Sequence, residues 1–333
     1  MKYLVLLISI TCILGCQNQE KSKKDTNKNT SVSQGAFAKS SGRTNTLTIV
    51  MDNTLWEGEI GNYLRMHLAA GVKGLPQDEP LFTIKQMSAT AFRGFARKSR
   101  CFLRIQKGKN KAYKIWTNKY ARPQIGIDIS GTTNEEIIDQ FLINRKEIIT
   151  TYKQVELENR QSLIKKPLNT NDLKKELNID IRIPRAYHIA KQDSNFFWIR
   201  KNINHGSMNI LLYEAPISLF KKENSIIRNI INVRDSIGGK QIPVDDGGQF
   251  ITEAAFSPFL KRINMLGMEA YETKGTWEVK NKYMAGPFIN YTLKDTLRNR
   301  LLVLEGFVFA PSVQKRDYMF DLEAILKSTH LKE

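Results

Sequence analysis

The chain has 333 residues, 41% hydrophobic and 25% charged, and its 51 Lys and Arg outnumber 33 Asp and Glu to give a formal net charge of +18. A body of this length buries an adequate core, which excludes any need for disulfide staples. An excess of cations on this scale implies anionic partners.

Residues 1–15 read as a lipoprotein signal peptide. Lys2 is a one-charge n-region, Tyr3 to Ile10 is an apolar stretch too short to span a bilayer, and Ile13-Leu14-Gly15 precedes Cys16. Ile13 stands where an ordinary secretory signal has a small residue, so Cys16 is the expected lipidation site, although Leu14 is bulky for a lipobox. Several acyl chains, at about 0.8 kcal/mol per buried CH₂, would anchor the chain stably. Residues 16–45 then read as the lipidated cysteine and a disordered tether. They are rich in Lys, Asn, Ser, Thr and Gln, with Val32 and Phe37 as the sizeable apolar residues. The mean reach of such a tether is about 30 Å.

Cys12 leaves with the signal and Cys16 takes lipid, so Cys101 remains as the thiol and no intramolecular disulfide forms. Cys101 opens an alternating run with Leu103 and Ile105, which predicts a buried structural cysteine.

In residues 46–167 the pattern predicts a strand at 46–50 and a helix from Glu59 to Ala70, stopped by Gly71 and Gly74-Leu75-Pro76. Strands follow at 81–87, 101–106 and 125–129. Thr133 with Glu136 forms a capping box that opens a helix to about Leu163, with Ile137, Phe141, Ile148, Tyr152 and Val155 as its stripe.

In residues 168–333, strands are expected at 179–183, 187–191, 196–200 and 209–213. Asn224 to Asp235 reads as a helix stopped by Gly238-Gly239, and Phe250 to Leu266 as another, bent at Pro258. Strands follow at 269–279 and 286–292. Leu301 to Phe309 is nearly all apolar and predicts a central strand buried on both faces. The last helix runs from Lys315 to Ser328. Strands outnumber helices without strict alternation, so the expected class is α+β: two subdomains with mixed or antiparallel sheets and helices packed on them. Both end in a strand followed by a helix. No residue-level repeat accompanies that likeness, so duplication stays open.

Motifs for familiar chemistry are missing. His67, His188, His205 and His330 are scattered, without zinc-ligand spacing. There is no P-loop, no dinucleotide-binding glycine motif and no nucleophile elbow, and no cofactor is expected. Asp245-Asp246-Gly247 begins like a calcium loop, but spaced acidic ligands do not follow. Glu272 and Glu278 share a strand face about 20 Å apart, too far for a glycosidase pair.

Two stretches stand out as candidate sites. No acidic residue occurs between Glu79 and Asp128, while Arg93, Arg97, Lys98, Arg100 and Arg104 lead a run of cations interleaved with Phe92, Phe95, Tyr113 and Trp116. If residues 91–100 are helical, Arg93, Arg97 and Arg100 share a face, which is either an anion-binding surface or the solvated face of a chain rich in lysine throughout. The second stretch gathers Trp277, Met284, Gly286, Pro287 and Phe288, a candidate lip for a ligand or partner, or a packed turn.

The chain also resembles an uncharacterised lipoprotein family of Bacteroidota, domain of unknown function 4837-like. The resemblance rests on Leu55-Trp56-Glu57-Gly58-Glu59, Gly74-Leu75-Pro76-Gln77, Arg122-Pro123-Gln124, Phe197-Trp198-Ile199-Arg200 and Arg234-Asp235-Ser236. It continues through Gly275-Thr276-Trp277-Glu278, Ala285-Gly286-Pro287-Phe288, where the family has Gly-Gly-Pro, and Leu304-Glu305-Gly306-Phe307-Val308. It covers nearly all of the mature chain, implies a lipoprotein, and carries over no catalytic residues.

The expected function is a non-catalytic binding or assembly protein of the cell envelope. Its partners would be the membrane, through the lipid anchor, and an anionic lipid, lipopolysaccharide, peptidoglycan or an envelope protein, with no nucleic acid. Gln17 in place of an inner-membrane retention aspartate, and no acidic cluster over 17–21, point to the periplasmic side of the outer membrane. The alternative is an envelope-polymer hydrolase using His188, Asp235 or Asp245.

Overall fold

The computed structural model describes residues 37–332 apart from 222 and 246, and these residues belong to one compact unit. The signal peptide, Cys16 and most of the tether lie outside the described residues. Order begins before Thr46. Lys39 bridges to Arg122 and Ser41 to Ser99, and Asn45 is buried. These links are backbone pairings, which a polar composition does not reveal.

The N-terminal half contains β1 (Thr46–Val50), α1 (Asn53–Glu57), α2 (Glu59–Leu68), β2 (Thr83–Met87), β3 (Cys101–Lys107), β4 (Ala112–Thr117), β5 (Ile125–Gly131) and α3 (Asn134–Ser162). Its sheet runs β2-β1-β3-β5-β4, parallel except for the edge strand β4. One face carries Leu47, Ile49, Leu103, Ile105, Ile127 and Ile129 under Leu64 of α2 and Ile137, Phe141, Ile148 and Tyr152 of α3. Cys101 is 1% exposed in this core. The Thr133 hydroxyl caps α3 by accepting from the Glu136 amide at 3.3 Å, while the Glu136 carboxylate accepts from the Thr132 amide at 2.7 Å. Strand β4 was not anticipated, because its half-exposed edge position leaves little apolar alternation to read.

The C-terminal half contains α4 (Asn171–Glu176), β6 (Ile179–Asp180), β7 (His188–Asp193), β8 (Phe196–Ile203), β9 (Gly206–Pro216) and α5 (Ile226–Gln241). It continues with β10 (Phe250–Thr252), β11 (Phe259–Met265), β12 (Met268–Val279), β13 (Ala285–Asp295), β14 (Arg300–Phe309), α6 (Arg316–Leu326) and β15 (His330–Leu331). An antiparallel sheet runs β10-β12-β13-β14-β9-β8-β7, with β11 also paired to β12, and β6 pairs with β15. The class is α+β.

Strand β14 lies in the middle of this sheet and is buried on both sides. Leu301, Val303 and Phe307 face a cluster shared with Val233 of α5, and Leu302, Leu304 and Val308 face one shared with Leu322 and Ile325 of α6. The helix expected over 250–266 is replaced by β10 and β11. Pairing of Phe259–Met265 along β12 satisfies backbone groups that Pro258 would have left open in a helix. Gly238-Gly239 lies inside α5 instead of ending it. A Cβ at Gly238 would stand 3.0 Å from the Phe250 ring, so the glycine lets the helix approach β10 closely.

Helix α6 joins the two halves. Met319, Leu322, Ile325 and Leu326 pack on the large sheet, while Phe320 and Ala324 meet Leu157 of α3. Its first turn is capped from the other half: the buried Glu79 carboxylate accepts from the Lys315 amide at 2.6 Å and the Arg316 amide at 3.0 Å. A carboxylate there satisfies orphan donors and meets the positive end of the helix dipole. Arg316 returns the contact by donating to the Pro80 carbonyl at 2.9 Å. Glu79→Ala should therefore destabilise the protein by about 2 kcal/mol. The expected result is a lower urea midpoint with an unchanged m value, and an unaltered midpoint would refute the role.

Candidate functional site

The helix-free face of the N-terminal sheet carries the basic segment. Register places Lys85, Thr48, Phe102, Gly126 and Trp116 in one row across it, and Met87, Val50, Arg104, Asp128 and Lys114 in the next. On this face aromatic rings and cations alternate. Arg97 lies over Tyr120 at 5.1 Å, Lys119 over Tyr120 at 5.4 Å and over Trp116 at 3.7 Å, and Lys114 over Trp116 at 3.8 Å. Asp128 sits among them but is engaged: Arg104 pairs with it, and the Trp116 indole donates to it at 2.8 Å. Among the described residues, Lys85, Arg93, Arg97, Lys98, Lys114 and Lys119 form no ion pair.

A buried glutamine holds the loops that carry these groups. The Gln124 amide donates to the carbonyls of Arg97 and Ser99 at 2.7 Å, and its oxygen accepts from the Tyr120 amide at 2.8 Å. The segment 94–98 is a single 3-10 turn, not the expected helix. Arg93 and Arg97 are exposed and Lys98 is half-buried, but Arg100 turns inward. It pairs with buried Glu156 at 2.9 Å and donates to the Gly42 carbonyl at 3.0 Å. Arg100 is thus part of the interior, and Arg104 is committed to Asp128. Burial pushes the Glu156 carboxyl up against the pull of Arg100, and burial next to Glu156 pushes the Cys101 thiol well up, which makes Cys101 a poor nucleophile.

The expected lip is inside the protein. Trp277 is 2% and Phe288 1% exposed, Gly286 and Pro287 are buried, and Met284 alone reaches the surface. The Trp277 indole donates to the Val308 carbonyl at 3.2 Å, and a Cβ at Gly286 would lie 2.0 Å from that same oxygen. Nearby, Arg234 lies over the rings of Phe288 and Phe250 and pairs with buried Glu305 at 3.0 Å. The stretch is a packed wall that anchors α5.

The groups named for a hydrolase are otherwise employed or apart. His188 is exposed on the edge strand β7, Asp235 accepts from the Thr252 amide and hydroxyl at 2.7 Å, and Asp245 is exposed in the loop after α5. Among the described residues, no three His, Cys, Asp or Glu gather to hold a metal, and no helix is long and apolar enough to cross a membrane.

Sequence reading missed a cleft of about 480 Å³ between the two halves, lined by Val72, Lys73, Leu81, Lys153, Phe259, Leu260, Lys261, Glu272 and Lys274. At its base Lys274 pairs with Glu323 at 3.2 Å and Glu272 at 3.6 Å, and Lys327 pairs with Glu323 at 2.7 Å. Burial opposes charge on Glu323, but Lys274, Lys327 and Lys153 outweigh it and hold the carboxyl at about 2. Burial pulls Lys153 down against the opposing pull of Glu323, and Lys274 adds to the lowering. These residues are scattered over most of the chain, and no local motif signals them.

Residues 40–165 match the family model of a domain of unknown function (DUF8532), and residues 166–328 match that of a second domain of unknown function (DUF4837). No curated protein matches the sequence. A solved chain, described as LpqN involved in cell envelope biogenesis of Mycobacterium tuberculosis, is 13% identical over 46% of this chain and 83% of its own, with a TM-score of 0.28. A likeness that slight carries no argument about fold or role.

The charge cluster has a pH signature. With Glu323 held below its ordinary 4.5, its contribution to stability is full above 4.5 and is lost as pH falls toward about 2. Urea midpoints followed across that range should fall less steeply for Glu323→Gln than for the wild type. Parallel curves would show that Glu323 does not titrate in this way.

Proposed function

We propose that this chain, whose C-terminal half matches the DUF4837 model, is a lipid-anchored cell-envelope protein that binds phosphate-bearing anions on the face of its N-terminal sheet opposite α2 and α3. The anchor rests on the lipobox ending at Cys16. The placement proposed is the periplasmic side of the outer membrane, where phospholipid headgroups and lipopolysaccharide phosphates supply the anion.

The observation that carries the reading is the gathering of Arg97, Lys114 and Lys119 around the rings of Trp116 and Tyr120 without an ion pair among the described residues. Like charges brought together repel one another, and a bound anion relieves that cost. Elsewhere this chain does pair its buried arginines, Arg100, Arg234 and Arg300. Aromatic rings beneath Arg97, Lys114 and Lys119 hold the charged ends in place, so little is lost in ordering them on binding. Phe95, 74% exposed with Lys98 at its ring, adds an apolar group suited to the headgroup boundary.

A Cys16→Ser chain, freed of the anchor, should sediment with phosphatidylglycerol vesicles and not with phosphatidylcholine vesicles, and salt should release it. Lys114→Gln with Lys119→Gln should weaken partitioning about 30-fold, at about 1 kcal/mol for each charge near an anionic surface. Equal partitioning of that variant, or indifference to headgroup charge, would refute the reading. Radiolabelled palmitate should enter the wild type and not Cys16→Ser.

A further inference from the structure

The cleft between the halves has its own chemistry, separate from the sheet face. One wall is the Ala70–Leu75 loop, pressed onto β12 so closely that a Cβ at Gly74, whose φ is +82°, would meet Lys274 at 2.8 Å. The facing wall is β11, where Phe259 and Leu260 are 49% and 41% exposed. Lys153 enters from α3.

The charges here are unevenly matched. Glu272 and Glu323 are taken up by Lys274 and Lys327, and the Tyr291 hydroxyl also donates to Glu272 at 3.1 Å. Lys73, with its ammonium 5.2 Å from the Phe259 ring, Lys153 and Lys261 have no ion pair among the described residues. Lys153, half-buried, has no hydrogen bond among them either, and Glu323 and Glu272 act on it without reaching ion-pair contact. A half-buried ammonium with no hydrogen-bond acceptor in contact leaves its donors open to an anion entering the cleft. The volume lies in the range of small-molecule sites, which favour such domain junctions.

We propose that this cleft binds a small amphiphilic anion, with its acidic head on Lys153 and its apolar body along Phe259 and Leu260. The head is a carboxylate or a phosphate monoester. Lys73 and Lys261 flank the opening and would draw the anion in. An anion on Lys153 would also restore the charge that burial and Lys274 disfavour, so binding and protonation of this amine should be linked.

Calorimetric titration of the full chain with decanoate, decyl phosphate and decanol tests this. At least one of the two anions should bind at least tenfold more tightly than decanol. Lys153→Met should lower that affinity tenfold or more, whereas Lys153→Arg should retain most of it. Lys153→Met also removes one of the three lysines that hold Glu323 ionised, so its urea midpoint should fall slightly while unfolding stays cooperative with an unchanged m value, and lost binding would then not reflect unfolding. The Lys114→Gln, Lys119→Gln chain should bind the anion as the wild type does, which separates this cleft from the sheet face. Decanol binding as well as the anions, an unchanged affinity in Lys153→Met, or no binding of either anion would each overturn the proposal.

Discussion

Helix α6, buried on two sides, is the constraint around which the molecule is arranged. Leu322 and Ile325 press onto the large sheet so closely that β14 has glycine at 306, where a Cβ would come within 3.0 Å of Leu322. Phe320 and Ala324 press onto α3 from the opposite side. A helix buried this way cannot leave its first amides to water. Glu79, some 236 residues away in sequence, supplies the acceptor. Capping and packing thus act on the same element, and together they hold the two sheets at a fixed separation.

That separation creates the cleft. Glu323 lies on the same helix, one residue after Leu322, and draws in Lys274 from β12 and Lys327 from just past the end of α6. Lys153 on α3 is brought to the same region, where Glu323 acts on it without an ion-pair contact. The junction that stabilises the fold therefore also assembles the chemistry of the cleft. A residue that loosened α6 would change both.

Cations in this chain fall into two populations. The buried arginines are paired: Arg100 with Glu156, Arg234 with Glu305, and Arg300 with Asp295 and Glu214. Leaving one partner of such a pair alone costs about 3–5 kcal/mol, so they behave as structural units. Cations without an ion pair among the described residues include several on the sheet face and around the cleft. The run of basic residues from Lys85 to Arg122 spans both populations, and charge count alone does not tell them apart.

Where forces act between near neighbours in sequence, the sequence alone was enough. The apolar run of Leu301–Phe309 marked a strand buried on both faces, Thr133 marked the start of α3, and the alternation after Cys101 marked a buried thiol. The existence of a basic segment was equally legible. Tertiary structure decided the rest. Pairing with β12 turned 250–266 from an apparent helix into two strands, Glu156 drew Arg100 inward, and Val308 claimed the Trp277 indole that looked available as a lip. Tertiary structure alone brought Lys73, Lys153, Lys261 and Lys274 to one cleft. Periodicity and capping report contacts a few residues apart. Burial, ion pairing and the meeting of lysines from four elements depend on which distant segments share a surface, and that is set by the packing of the whole chain.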